Sequence, residues 1–527
     1  MIVIEKVTAA RPADWTRRRL SELDWGWLGP VLVSAIAFLL VFPKLGRPHE
    51  LMWDETYYAK DAWAMLYSGT ELSWRDQPGG QPANGLVMGG DPAAGLVPGV
   101  AGSAVHPPMG KWMIAIGIRL FGMNPLGWRA AAAVAAVVAV LVLARTVRRM
   151  TGSTLFGCAA GLLLAMDGSW LVMGRVAMLD MFLMTFIVCA FGCLVVDRDR
   201  TRERLSGGTC GPFLLHGWRI LAAVFFGLAA CTKWTGLFAL AFLWALALLW
   251  DRNARKAAGV RRPWAGMLLK DALPSVVTVG FVALTTYVAG WWGFFVSGTG
   301  LQEKLFGRRI AAWDRDWADG HPSALPDFLD PLRSLWQRHV DTYSFHHGVI
   351  GSHPSQSWPW EWTYQGRPAG MHFSVTEAGQ RGCGLAEKCV RNVTDLGTPA
   401  IWWVSLPVLG LLLLTLPWTR DWRAAAAITG YLAGILPWLP EAFHGRTMFS
   451  TYALPMLPFI VIGLVVAFAM LWERTANRPR LRTAAGAAGF LYLLAVSVTF
   501  AYFYPILTAE LVPWSSWMDR MWLHRWI

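Results

Sequence analysis

The sequence predicts an all-α integral membrane protein, and three features carry that prediction: apolar runs near spanning length, tryptophans where those runs end, and basic residues gathered in alternate connections. Of 527 residues, 55% are hydrophobic and only 15% are charged, far from the balance of a soluble globular chain. A spanning helix needs about 20 mainly apolar residues. Candidate runs lie near 25–43, 128–147, 155–173, 178–196, 219–232, 234–250, 271–296, 399–417, 424–440, 452–472 and 483–504. The stretch from Arg219 to Trp250 is too long for one crossing and strongly basic on both flanks, so it divides into two with Lys233 at the turn.

There are 32 tryptophans, and Trp25, Trp27, Trp250, Trp291, Trp292, Trp402, Trp403, Trp418 and Trp438 all sit at run ends. An amphipathic ring suits the headgroup layer. Arg17, Arg18 and Arg19 precede the first run, and no small-residue cleavage pattern follows it, so it reads as a retained helix with a cytoplasmic amino terminus. The connections then assigned to the cytoplasm hold 25 Lys and Arg against 10 Asp and Glu. The segments 44–127 and 297–398 are close to neutral, which places both outside. Eleven crossings satisfy this asymmetry and leave the carboxyl terminus outside. The whole chain, 1–527, reads as one transmembrane domain with two large outer loops.

A net charge of +13 raises nucleic acid as a partner, but the basic residues are scattered in short connections and form no stripe. The chain has no nucleotide-phosphate loop or dinucleotide fingerprint. Its 11 histidines are dispersed and show no zinc spacing, so no metal or other cofactor is expected. Cys383 and Cys389 share a polar loop and are either a short oxidised hairpin or two thiols.

Directly after the first run comes Trp53-Asp54-Glu55-Thr56-Tyr57-Tyr58. Two adjacent carboxylates beside the headgroup layer suit proton removal from an attacking hydroxyl, or simply an acidic first turn of a helix. His106-Pro107-Pro108-Met109-Gly110-Lys111 opens an amphipathic stretch, whose Lys111 suits a lipid phosphate or snorkels to ordinary headgroups. Gly174 to Asp180 joins two runs and brings Arg175 and Asp180 to the hydrocarbon edge, where ionisable groups are costly unless paired or functional. Lys233 and Arg446 occupy two further connections. Lys111, Arg175, Lys233 and Arg446 therefore converge on the face that carries Asp54 and Glu55. Cations there can neutralise a departing phosphate while a carboxylate activates the nucleophile.

This ordered set resembles the protein O-mannosyltransferase family of the glycosyltransferase-C superfamily. The resemblance rests on Trp53-Asp54-Glu55, His106 to Lys111, Arg175 to Asp180, Thr232 to Gly236, Ser352-His353-Pro354 with Ser357-Trp358-Pro359-Trp360, and Arg446 with Phe449, Tyr452 and Pro455. It implies a glycosyltransferase-C type fold, a polyprenyl phosphate mannose donor, and transfer with inversion and without metal. The implied acceptor is Ser or Thr of a polypeptide emerging from the export machinery at the cell membrane. It makes Asp54 the base and Glu55 its essential neighbour. Arg175 and Arg446 are assigned to the donor phosphate, with Lys111 and Lys233 as further candidates. His353, Trp358, Trp360 and Tyr452 are assigned to the cavity on the acceptor side. The loop 297–398 is too short for the extra soluble domain of eukaryotic members, which implies an actinobacterial-like form.

Two other readings compete. A related lipid-linked transferase acting on a glycan or lipid would use the same face. A transporter would place charge near the midplane and often show repeated halves, and the sequence has neither pattern.

Overall fold

In the computed structural model the described residues are 12–74, 83–93, 95–102, 105–209, 211, 216–297, 326 and 329–527. A bundle of helices fills most of that length. The helices are α1 (Pro12–Val41), α2 (Glu55–Ser68), α3 (Ala83–Met88), α4 (Met109–Phe121), α5 (Pro125–Thr151), α6 (Thr154–Ala165), α7 (Gly168–Arg175), α8 (Leu179–Ser206), α9 (Gly217–Ala230) and α10 (Gly236–Ala257), and the helices that follow are identified by residue range. Among the described residues seven helices are long and apolar enough to span, and α6 with α7 makes an eighth if that bent pair is one span. α9 and the apolar part of α1, Gly26–Val41, are shorter. The chain is thus a multi-pass membrane protein.

Burial orders the bundle. Of the most apolar part of α8, 78% is enclosed by protein, and of Ser450–Arg474, 72%, whereas Pro263–Gly290 has 22% and Pro479–Leu507 28%. The first two are central and the last two line the periphery. α5 owes its close contacts to small residues. Its alanine run meets α6 where a Cβ on Gly157 would lie 2.5 Å from the Ala144 carbonyl oxygen, so only glycine permits that approach.

The run 155–173 departs from the expected single helix: α6 and α7 meet at 62°. The cause is Asp167. Its carboxylate caps α7 by accepting from the Ser169 and Trp170 amides, and also accepts from the Thr398 amide and the Trp402 indole. A polar group inside an apolar run has recruited donors from the start of Pro399–Thr419, and the helix breaks to reach them.

The all-α expectation also fails in the loops. β1 (Leu72–Trp74) pairs antiparallel with β2 (Leu96–Ala101), and β3 (Ala369–Thr376), β4 (Cys389–Asp395) and β5 (Leu511–Pro513) form an antiparallel sheet in that order. A disulfide joins Cys383, in the connection between β3 and β4, to Cys389, the first residue of β4. β5 lies beyond the last long helix, and nearby Trp526 donates to the Gln365 carbonyl oxygen at 2.7 Å. The carboxyl-terminal tail and the second large loop therefore share one end of the bundle, the site face.

At the opposite end, basic residues that suggested topology are tied into ion pairs. Arg219 bridges Asp197 and Asp251 at 2.6 and 2.8 Å, and Arg255 holds Asp271 at 2.6 Å. On the site face a comparable knot joins the two large loops. The fully buried Lys111 ammonium lies 3.0 Å from both Asp61 and Glu71, and Arg338 reaches Glu71 at 3.1 Å. Against the cost of burial, Lys111 and Arg338 hold the Glu71 carboxyl down at about 2. Replacing Lys111 by Met strands Asp61 beside Glu71, which keeps only Arg338, a loss on the order of 3–5 kcal/mol. Thermal unfolding of the purified Lys111→Met protein is expected well below wild type, and an unchanged midpoint would contradict this role.

Candidate active site

α2 begins at the acidic pair, and its first turn is held from below. Glu55 is fully buried and forms a bidentate pair with Arg129 of α5: Nε to Oε1 and Nη2 to Oε2, both 2.8 Å. Its two oxygens also accept from the backbone amides of Ala177 and Met52, each at 2.9 Å. Arg129 completes its fork with the carbonyl oxygens of Leu45, Pro48 and Glu50. Four donors occupy the Glu55 carboxylate, so it fixes the loop and has no lone pair free for proton transfer.

Asp54 differs. Its carboxylate is half-buried and accepts from the Tyr58 hydroxyl at 3.2 Å. Burial pushes its pKa up to about 6, against the pull of Lys233 and the Tyr58 hydrogen bond. The preceding residue, Trp53, has φ of 48°, a left-handed conformation that costs a bulky residue on the order of 1–3 kcal/mol. The Trp53 ring is clamped edge-on by His353 and Phe449, with centroids 5.4 and 5.3 Å away. That clamp and the Glu55 amide bonds on either side hold the strained turn that aims Asp54.

Near this turn lies a cavity of about 190 Å³ whose lining includes Lys233 but not Asp54 itself. Its polar half carries Asp180, Lys233, His346, Glu441, Arg446 and Tyr452, and its apolar half runs along Leu183, Ile187, Phe238, Leu243 and Phe459. Lys233 lies 2.7 Å from Asp180 and 5.3 Å from the Tyr452 ring centroid. Arg446 donates to the His346 carbonyl oxygen at 3.1 Å and sits over Trp438. Burial pushes the His346 pKa down to about 4, which keeps that ring neutral beside the cation. A polar head with a cation pair and a greasy channel between α8 and α10 suit an amphiphile with an anionic head.

The expected convergence of four cations is corrected by this geometry. Arg175 donates to the carbonyl oxygens of Val41, Pro43 and Lys44, so it caps the end of α1 and does not line the cavity. Lys111 is enclosed by Asp61 and Glu71. Lys233 and Arg446 are the two that reach the cavity wall, and Asp180 pairs with Lys233, not with Arg175. Tyr452 lines the cavity. His353 lies behind Trp53, while Trp358 stacks on Trp360 at 5.6 Å; none of the three lines the cavity. Their segment braces the Arg446 loop instead, through the Thr447 amide on Val349 and the Ser357 amide on Met448.

Arg129 and Tyr58 were missed by sequence reading. Arg129 had a signal, since a guanidinium four residues into an alanine-rich span demands a partner. Among the described residues no three His, Cys, Asp or Glu side chains are placed to hold a metal ion.

The model of the dolichyl-phosphate-mannose-protein mannosyltransferase family matches residues 101–289, and that of the carboxyl-terminal four-span region of protein O-mannosyltransferase matches 331–526. The chain belongs to this family. It is 37% identical to the polyprenol-phosphate-mannose–protein mannosyltransferase of Mycolicibacterium smegmatis, over 95% of this chain and 93% of the relative. Identity to the enzyme of the same name from Corynebacterium glutamicum is 31%, covering 97% and 94%. The fold matches the S. cerevisiae protein O-mannosyltransferase Pmt1–Pmt2 complex bound to the sugar donor, with TM-score 0.68 and 13% identity, over 95% of this chain and 92% of that one. Within this family member the Glu55–Arg129 pair should behave as a strut. A double-mutant cycle of Glu55→Gln and Arg129→Met on thermal stability is expected to show strong coupling, with each single change costing about 3–5 kcal/mol. Additive losses would rule the strut out.

Proposed function

We propose that this chain transfers mannose from a polyprenyl phosphate mannose to Ser or Thr hydroxyls of exported protein, with Asp54 as the base. The single observation that carries the reading is the juxtaposition of a half-buried, raised-pKa carboxylate with a cation-lined cavity that continues into an apolar channel. Lys233 and Arg446 bind the donor phosphate and neutralise the charge that grows on it as the glycosidic bond breaks. Asp54 takes the proton from the acceptor hydroxyl as that oxygen attacks the anomeric carbon. Attack opposite the phosphate inverts the configuration. No step in this scheme needs a metal. Tyr58 holds the carboxylate, Asp180 positions Lys233, and Glu55 with Arg129 sets the loop.

The topology that suits this chemistry has eleven crossings of the cell membrane, the amino terminus inside and the site face outside. Seven described helices are long and apolar enough to span, eight with the bent pair α6–α7, and the charge asymmetry of the connections supports this orientation. Export machinery then presents the acceptor at the face that holds Asp54. Protein is favoured over glycan or lipid as acceptor because the relatives that span almost all of this chain carry the name of protein mannosyltransferases.

Membranes containing the wild-type chain are expected to label a Ser/Thr-rich exported peptide from labelled polyprenyl phosphate mannose, and Asp54→Ala membranes are expected to lose at least 100-fold in rate. Equal labelling would defeat the role of Asp54, and label on glycan or lipid alone would favour the other acceptor class. The pH profile adds a second check. A raised carboxylate pKa leaves Asp54 protonated and inactive below about 6, so kcat/KM rises through that pH and levels above it. Tyr58→Phe removes a hydrogen bond that favours the charged form and shifts this limb upward. A limb near the ordinary carboxylate value, unmoved in Tyr58→Phe, would contradict the assignment.

A further inference from the structure

The 19-residue helix Asp330–Gly348 in the second large loop has three faces where a surface helix normally has two. At about 100° per residue, Ser334, Leu335, Arg338 and Thr342 fall together and are buried against the protein. Arg333, Gln337, Asp341 and Ser344 fall on a second, polar side, where Gln337 donates to Asp341 at 2.8 Å. Between them Leu332, Trp336, Val340 and Tyr343 share a stripe about 80° wide that nothing in the described fold covers: Trp336 is 72% and Tyr343 59% exposed.

The position of the helix says what covers it. His339, at the edge of the stripe, shares a hydrogen bond with the Tyr287 hydroxyl at 2.5 Å and stacks on Trp234 at 5.6 Å. Tyr287 lies at the end of the span Pro263–Gly290, and Trp234 directly precedes α10. Leu335 packs with Trp291 and Phe294 just beyond that span. Pro263–Gly290 itself turns Val277, Phe281 and Leu284 outward, each more than 60% exposed, which is a lipid-facing surface in a multi-pass protein. The uncovered stripe therefore belongs to a helix packed against the end of an apolar, lipid-suited span.

We infer that Asp330–Gly348 lies in the membrane interface on the site face, with the Leu332, Trp336, Val340 and Tyr343 stripe seated in the acyl and headgroup boundary of phospholipid. A helix with an apolar side toward lipid and a polar side toward water is stable in that plane. The same helix supplies Tyr343, His346 and His347 to the cavity wall. Its lipid seat holds that wall at the depth where a lipid-borne substrate reaches the cavity.

Depth-dependent quenching tests this in the full chain reconstituted into phosphatidylethanolamine and phosphatidylglycerol vesicles. Trp336→Cys and Gln337→Cys, each in a background with Cys158, Cys189, Cys193, Cys210 and Cys231 replaced by Ala, carry the same environment-sensitive dye. Shallow spin-labelled lipid is expected to quench position 336 at least threefold more than 337, and an aqueous quencher to show the reverse order. Equal aqueous quenching at both positions would overturn the inference. A second measurement leaves the native cysteines in place, with a photo-crosslinking amino acid at 336. Adducts to radiolabelled phospholipid support the inference, and adducts to a second copy or to another protein overturn it.

Discussion

The site depends on one buried ion pair. Glu55 and Arg129 meet in a space closed to water, where two charges are tolerated only if each is fully hydrogen-bonded, and both are. The pair draws together three stretches distant in sequence: the turn after α1, the start of α5, and the α7–α8 connection through the Ala177 amide. Once that knot is tied, Trp53 is held in its left-handed conformation and the Asp54 carboxylate lies against Tyr58, within the electrostatic reach of Lys233. The two adjacent carboxylates thus sit in different environments. Four donors occupy one, and burial with few donors raises the pKa of the other.

The same logic sorts the cations. Arg175 and Lys111 stand in motifs that resemble those of the family as closely as those of Lys233 and Arg446, but their charge is consumed within the fold. Arg175 satisfies the orphan carbonyl groups at the end of α1. Lys111 ties α4 to α2 and, through Glu71 and Arg338, to the helix Asp330–Gly348. Each holds in place a segment that borders the site without reaching the cavity.

Much of this architecture was legible in the sequence because lipid imposes strong rules on composition. The apolar runs, their tryptophan ends and the shared face of Asp54, Lys233 and Arg446 follow from length, hydropathy and charge pattern. What escaped was set by partners far away in the chain. The break at Asp167 needs the Thr398 amide and the Trp402 indole, 231 and 235 residues later. The sheet β3–β4–β5 needs a strand from the carboxyl-terminal tail. Arg175 was placed at the donor phosphate because spacing shows that a cation is near the membrane edge but not which acceptors it meets there, here the carbonyl oxygens of Val41, Pro43 and Lys44. Glu55 was read as a partner in chemistry because adjacency to Asp54 hides the fact that successive residues at a helix start point in different directions.

In the proposed chemistry, donor phosphate and base meet across one cavity, with Lys233 and Arg446 as its two cations. A structure of this chain with polyprenyl phosphate mannose bound measures it most directly. The account predicts the phosphate within hydrogen-bond distance of Lys233 and Arg446, the tail along Leu183 and Phe238, and Asp54 facing the anomeric carbon opposite the phosphate. A phosphate held by Arg175 or Lys111, or an anomeric carbon remote from Asp54, would contradict it.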